Sequence, residues 1–254
     1  MLNPLRYPVL FFVFSLFTLW ISSRIGASFR AKWNANEQKY NHDDFTLILG
    51  AALTLLGLVI GFTFSMAVNR YDQRMYFEEQ EANAIATEYV RANLLPTTDA
   101  ARVHELLRRY LDQRMLNYKT HNEQQLRQIN SQTAQLQTEM WSAVQTSSAT
   151  QPPILATFIL GGMNDVLNSQ GYTEFAWGNR VPRAAWILLL TMSIFCNFLV
   201  GYIAHERGAL LFLILPIALS VAFLLIADID NPRRGLIQVY PQNLEILSES
   251  LHSH

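Results

Sequence analysis

Two short stretches bring together residue types that could do chemistry. The first is Asp228-Ile229-Asp230-Asn231-Pro232-Arg233-Arg234, which ends an uncharged apolar run. If that run is a helix, carboxylates at its C-terminus face the negative end of the macrodipole and require a partner. Arg233, Arg234 or Arg183 could supply one as an arginine clasp. Calcium is the rival, because oxygen donors two residues apart beside a turn carbonyl suit it. Asp228, Asp230 and Asn231 fall short of the roughly six to eight oxygens the ion takes, so further ligands would come from elsewhere. The second stretch is Asn69, Arg70 and Arg74, at the end of another apolar run. The two arginines are four apart and share one helix face. There they either snorkel to lipid headgroups or pair with Glu78, or they raise the local concentration of anions at the mouth of a pathway.

Elsewhere the chemistry is thin. His42, His104, His121 and His205 have no metal-ligand spacing between them, and Cys196 sits inside an apolar run, where cysteine most often serves packing. No phosphate-binding glycine loop, zinc-protease helix motif or serine-nucleophile elbow is present, and nothing in the chain reads as an enzyme.

The elements that must position these residues follow from composition. Half of the 254 residues are apolar and only 15% are charged, against about a quarter in an ordinary soluble protein. Four apolar stretches carry no charge at all: Tyr7 to Ser23, Phe45 to Asn69, Ala184 to Ala204 and Gly208 to Ala227; a fifth uncharged run, Met140 to Asn164, is rich in Ser, Thr, Gln and Pro. A helix needs about 20 apolar residues to cross roughly 30 Å of hydrocarbon, which the three longer stretches supply and the first nearly does. Arg6, the first run and Ile25-Gly26-Ala27 also resemble a signal peptide, but the run is long for one and Arg24 interrupts the approach to the cut. Net charge of −1 and a single cysteine argue against a basic nucleic-acid binder and a disulfide-stapled secreted domain. Arg6, Arg70, Arg74, Arg180, Arg183, Arg233 and Arg234 outnumber Arg24, Arg30, Lys32, Lys39 and Arg207 across the membrane. The surplus puts both termini and the segment between the second and third spans in the cytoplasm.

That segment has soluble composition and a helical pattern without strand alternation. Arg70 to Leu94 continues the second span without Gly or Pro, so one long helix should leave the membrane and end at Leu95-Pro96. Thr98 or Asp99 is expected to cap the next helix, with Val103, Leu106, Leu107, Tyr110 and Leu111 as its apolar stripe. A polar helix follows with the narrow seam Leu126, Ile129, Thr133, Leu136 and Met140, whose partner is either this chain or another copy. Thr146 to Pro153 reads as a linker, Ile154 to Asn168 as a shorter helix, and Gly171 as a turn before re-entry at Pro182.

Within the second span, Gly57, Gly61 and Ser65 recur every four residues and offer a packing face for a neighbouring helix. Thr54, Leu58, Phe62 and Met66 form a row turned roughly 100° from it. One interpretation is an inert span, small residues packed and large ones on lipid. The other is a helix that surrounds a pore with its copies, Leu58 and Phe62 forming an apolar constriction.

The run Gly61-Phe62-Thr63-Phe64-Ser65-Met66, then Arg70-Tyr71-x-x-Arg74, then Glu81-Ala-Asn-Ala-Ile85 resembles the signature of the bestrophin-like family of bacterial membrane proteins. Arg180-Val181-Pro182 and Asp228-x-Asp230-x-Pro232-x-x-Gly235-x-Ile237-x-Val239 fit the same family. The resemblance implies an all-α fold with four transmembrane helices and a helical cytoplasmic domain inserted between the second and third spans. It divides the chain into 1–69 (first two spans and their loop), 70–182 (cytoplasmic domain), 183–228 (last two spans) and 229–254 (acidic turn and tail). By the same resemblance the protein is a homo-oligomer of five subunits in the bacterial inner membrane, with an axial pathway for small anions lined by the second helix. The constriction would fall at Thr54, Leu58 and Phe62, the inner mouth at Asn69, Arg70 and Arg74, and an acidic calcium-binding turn at Asp228 and Asp230. Two departures stand out: Thr54 is polar where bestrophins are apolar, and Tyr71-Asp72 replaces a Trp-Trp pair. The alternative function is a non-conducting membrane scaffold or sensor that engages a partner through Gln124 to Gln145. No nucleic acid is expected as a partner.

Overall fold

The computed structural model describes residues 7–33, 42–203 and 211–252. Arg6, Lys39, His205 and Arg207 lie outside the described residues, as does Asn231's distant neighbour in sequence, His254. The described residues form helices α1 (Pro8–Trp33), α2 (His42–Arg91), α3 (Thr97–Lys119), α4 (Glu123–Ser148), α5 (Pro153–Gly178), α6 (Arg183–Ile203), α7 (Leu211–Asp230) and α8 (Gln242–His252). No strand occurs among them. Among the described residues, four helical segments are long and apolar enough to cross a membrane. The chain divides into two units, one of Met1–Asn69 with Arg180–Gln238, the other of Arg70–Asn179 with Val239–His254. The C-terminal piece read as continuous from 229 is thus shared: its acidic turn belongs to the first unit and α8 to the second.

In the first unit α1 lies against α6 and α7. Phe11, Trp186 and Phe223 stack on one another, with ring centroids 5.1 Å apart for the edge-on Phe11–Trp186 pair. α1 and α6 approach closely at Gly26 and Gly201. A Cβ on Gly201 would sit 1.9 Å from the Ser23 carbonyl oxygen, and one on Gly26 would sit 2.1 Å from that of Phe198. Only glycine permits such contact, which brings the Ser22 hydroxyl within 2.8 Å of the Ile194 carbonyl as donor. Within the chain, this close approach is made at Gly26 and Gly201. Among the described residues, nothing beyond the adjacent residues and the nearby backbone of α2 lies within 4 Å of a Cβ built on Gly57 or Gly61.

The second unit is a helical bundle around one core. The α3 stripe at Val103, Leu106, Leu107, Tyr110 and Leu111 is buried as its spacing predicts. So is most of the α4 seam: Ile129, Thr133, Leu136 and Met140 are buried and Leu126 is half-buried, against α3 and α5 of the same chain. Each large apolar side chain removed from water contributes about 1.5–3 kcal/mol. The helix limits differ from the sequence expectation in three places. α3 begins at Thr97, so Asp99 lies in its first turn and Pro96 holds the capping position without a side-chain bond. α4 runs to Ser148, through the start of the expected linker. α5 continues through Gly171 to Gly178, because Val166, Ser169, Thr173 and Trp177 keep a buried stripe across the glycine and outweigh its modest helix penalty.

Candidate functional site: the open face of α2 and its anchorage

α2 is one uninterrupted helix of 50 residues, apolar in its first half and charged in its second. In the apolar half only Leu56, Thr63 and Ala67 are buried by the chain itself, which defines a single inward edge. Thr54, Leu58 and Phe62 all point away from it: Leu58 is 53% exposed and Phe62 65%. Thr54 is exposed too, and its hydroxyl donates to the Gly50 carbonyl at 2.9 Å, so its polarity is largely satisfied by its own helix. Gly57, Gly61 and Ser65 are likewise exposed. Both rows read from the sequence are open.

Asn69 is exposed, but the two arginines beyond it are engaged. Arg74 is fully buried, and its guanidinium donates to the carbonyls of Ala176 at 3.2 Å and Asn179 at 2.9 Å. Arg70, half-buried, donates to the Asn179 side-chain oxygen. These carbonyls end α5, where orphan acceptors and the negative end of the helix dipole both favour a cation. The arginine pair thus fastens the C-terminus of α5 to α2. Glu78, expected as an arginine partner, instead caps α8. Its Oε1 accepts from the backbone N–H groups of Asn243 at 2.9 Å and Leu244 at 3.0 Å, and its Oε2 accepts from the Asn243 amide at 2.6 Å. Burial raises its carboxyl above the ordinary range, against these hydrogen bonds, which lower it.

One turn further, Glu81 is buried and ion-paired with Arg114 of α3, which is equally buried. The same carboxylate accepts from the Tyr118 hydroxyl at 3.3 Å and the Thr173 hydroxyl at 3.1 Å. Burial pulls the Arg114 guanidinium down, but the charge and hydrogen bond of Glu81, with Tyr110 and Tyr118, together raise it. Burial and Glu81 together push the Tyr118 phenol up, so it remains a donor. This ties α2, α3 and α5 into one register. The sequence carried Glu81 only as part of a family signature, since its partners come from positions 33 and 92 residues away.

At the end of α7, Asp228 and Asp230 are both buried. Asp228 accepts from the backbone N–H groups of Leu236 at 2.7 Å and Ile237 at 2.9 Å, one per oxygen. Asp230 accepts from the Val181 N–H at 2.9 Å, so the turn holds the residues that lead into α6. Asn231 accepts from the Arg233 N–H at 3.4 Å, and Arg234 lies over the Tyr7 ring at 4.9 Å. A Cβ on Gly235 would meet the Asp228 carbonyl at 2.5 Å, so the turn closes only with glycine there. The carboxylates answer the unfavourable helix end by binding amide N–H groups. No group of three or more His, Cys, Asp or Glu is gathered as a metal site among the described residues.

A family model for the Bestrophin-like domain matches residues 9–244. No curated protein matches the chain in sequence. Among solved structures, crystal structures of a bacterial bestrophin homologue from Klebsiella pneumoniae, two of them of mutants, share the fold. One is 14% identical with a TM-score of 0.67, covering 95% of this chain and 98% of that one. A second is 16% identical with a TM-score of 0.64, covering 95% and 97%. A third is 14% identical with a TM-score of 0.64, covering 94% and 95%. With the family model spanning nearly its whole length and the same helical fold in these relatives, this chain belongs to the bestrophin-like family of membrane proteins.

Proposed function

We propose that this protein is an ion channel of the bacterial inner membrane, with both termini and the second unit in the cytoplasm. Copies of the chain, five by resemblance to bestrophins, surround a pathway for small anions lined by α2. One observation carries the proposal. Within its most apolar 18-residue window, α2 is only 6% buried by the chain, whereas the corresponding windows of the other three spans are 33%, 39% and 50% buried. A helix that long, with both a small-residue row and a Leu58–Phe62 row open, has surfaces for two neighbours. The first row suits close approach of an adjacent copy, and the second suits an apolar constriction that gates by dewetting. Asn69 and the half-buried Arg70 then stand at the inner mouth, while Arg74 supports them through α5.

Mass photometry of the detergent-solubilised protein tests the assembly, because a closed ring makes a pathway possible and a monomer removes its walls. Reversal potentials in a planar bilayer test the mouth. Arg70→Glu should shift selectivity towards cations; an unchanged reversal potential in an intact oligomer would remove Arg70 from the pathway.

A further inference from the structure

Between the charged half of α2 and α5, within the second unit, lies a cleft of about 500 Å³. Its α2 wall is Tyr76, Gln80, Asn83, Thr87 and Arg91. Its α5 wall supplies Asp165, Asn168 and Tyr172.

Of the polar groups lining this cleft, the Ser169 hydroxyl is used by the fold, donating to the Val166 carbonyl at 2.7 Å, while Gln80, Asn83 and Asn168 form no side-chain hydrogen bond among the described residues. Thr54, Thr63, Thr133, Thr138, Thr146 and Thr157 each donate to the carbonyl four residues back. Thr87 forms no such bond. Beneath the wall, Glu88 is fully buried, and neither carboxyl oxygen has a hydrogen-bond partner. It occupies a notch made by Gly162. A Cβ there would lie 2.0 Å from Glu88 Oε2 and 2.5 Å from Arg91 Nη1. Burial, opposed by Arg91 and reinforced by Asp165, pushes the Glu88 carboxyl up to about 8. At neutral pH it is a neutral acid, so the cleft presents one guanidinium, Arg91, and one carboxylate, Asp165. Tyr76 and Tyr172 flank the opposite end, the latter beside Phe77 with centroids 5.8 Å apart.

We propose that this cleft binds a small zwitterion of the amino-acid type, its carboxylate on Arg91, its ammonium on Asp165 and its side chain against the tyrosines. Either charge alone would meet one complementary and one opposing group, whereas a molecule bearing both satisfies the pair. Binding at this cleft requires no conduction, so the site does not depend on the function proposed above.

Isothermal titration calorimetry on the purified full-length oligomer tests it, with L-glutamine and L-phenylalanine as probes and propylamine and propionate as single-charge controls. At least one amino acid should bind about tenfold or more tighter than either control, the size expected for one charge-assisted contact. Arg91→Gln and Asp165→Asn, both on exposed or half-exposed positions, should each weaken it by a similar factor while melting temperature and oligomer mass stay at wild-type values. Controls that bind as tightly, variants that bind like wild type, or no heat from either amino acid at about 10 mM would overturn the proposal. A protein that binds but does not conduct would leave this site intact and reject the channel reading alone.

Discussion

A carboxyl group buried without a donor, as Glu88 is, binds its proton more tightly in the folded chain than in the unfolded one. Its stabilising contribution is therefore complete below the ordinary carboxyl range, near 4.5, and is lost as pH rises towards about 8. Glu88→Gln should follow a flatter profile: in melts between pH 5 and pH 8.5, its apparent melting temperature should gain on wild type as pH increases. Parallel curves for the two proteins would place the Glu88 proton elsewhere. At this scale the sequence conveyed residue types well and partners poorly. Asp228 and Asp230 were legible as groups in need of compensation, because a helix end dictates that need from local chemistry. That backbone N–H groups of Leu236, Ile237 and Val181 would supply it was not legible, since side-chain pattern says nothing about which amide a turn presents. Arg70 and Arg74 were legible as a charged pair on one face, but their engagement at the end of α5 depends on a contact more than a hundred residues away.

Among the elements, α1 and α6 owe their contact to Gly26 and Gly201, where the added Cβ has no room. Gly201→Leu should separate the two helices and cost about 1–3 kcal/mol or more, seen as a lowered melting temperature and loss of folded protein. Gly61→Leu has open space inside the chain, so the subunit should fold and melt as before. If copies pack along Gly57, Gly61 and Ser65, the same variant should reduce the mass of the detergent complex; an unchanged mass would assign that row to lipid. The sequence singled out the α2 row because its spacing is regular, and missed Gly26 and Gly201 because each stands alone in its own helix. The α4 seam was legible as a seam but not as an internal one, for a two-heptad stripe carries no mark of whose helix it meets. α8 is held at its N-terminus by Glu78 and on its flank by an exposed Lys119–Glu245 pair at 2.7 Å, which contributes little. Glu78→Gln should therefore release its first turn. Hydrogen exchange over 242–252 should speed up by a few-fold, in line with a lost cap of about 1 kcal/mol, while the membrane spans keep their protection.

For the whole molecule, the four uncharged apolar stretches were enough to place the spans, because hydrocarbon thickness sets their length. Their side chains gave the aromatic and glycine contacts by which α1, α6 and α7 pack, and left α2 as the helix that the chain itself scarcely covers. The central claim is that copies of this helix enclose a conducting path narrowed at Leu58 and Phe62. Ion flux from liposomes carrying the purified oligomer tests it most directly, with the wild type compared to a Leu58→Ala, Phe62→Ala double variant. Measurable chloride flux is expected, rising at least several-fold in the double variant as the apolar constriction widens and wets. Absence of both chloride and potassium flux from wild type and variant, with intact oligomers in the membrane, would contradict it.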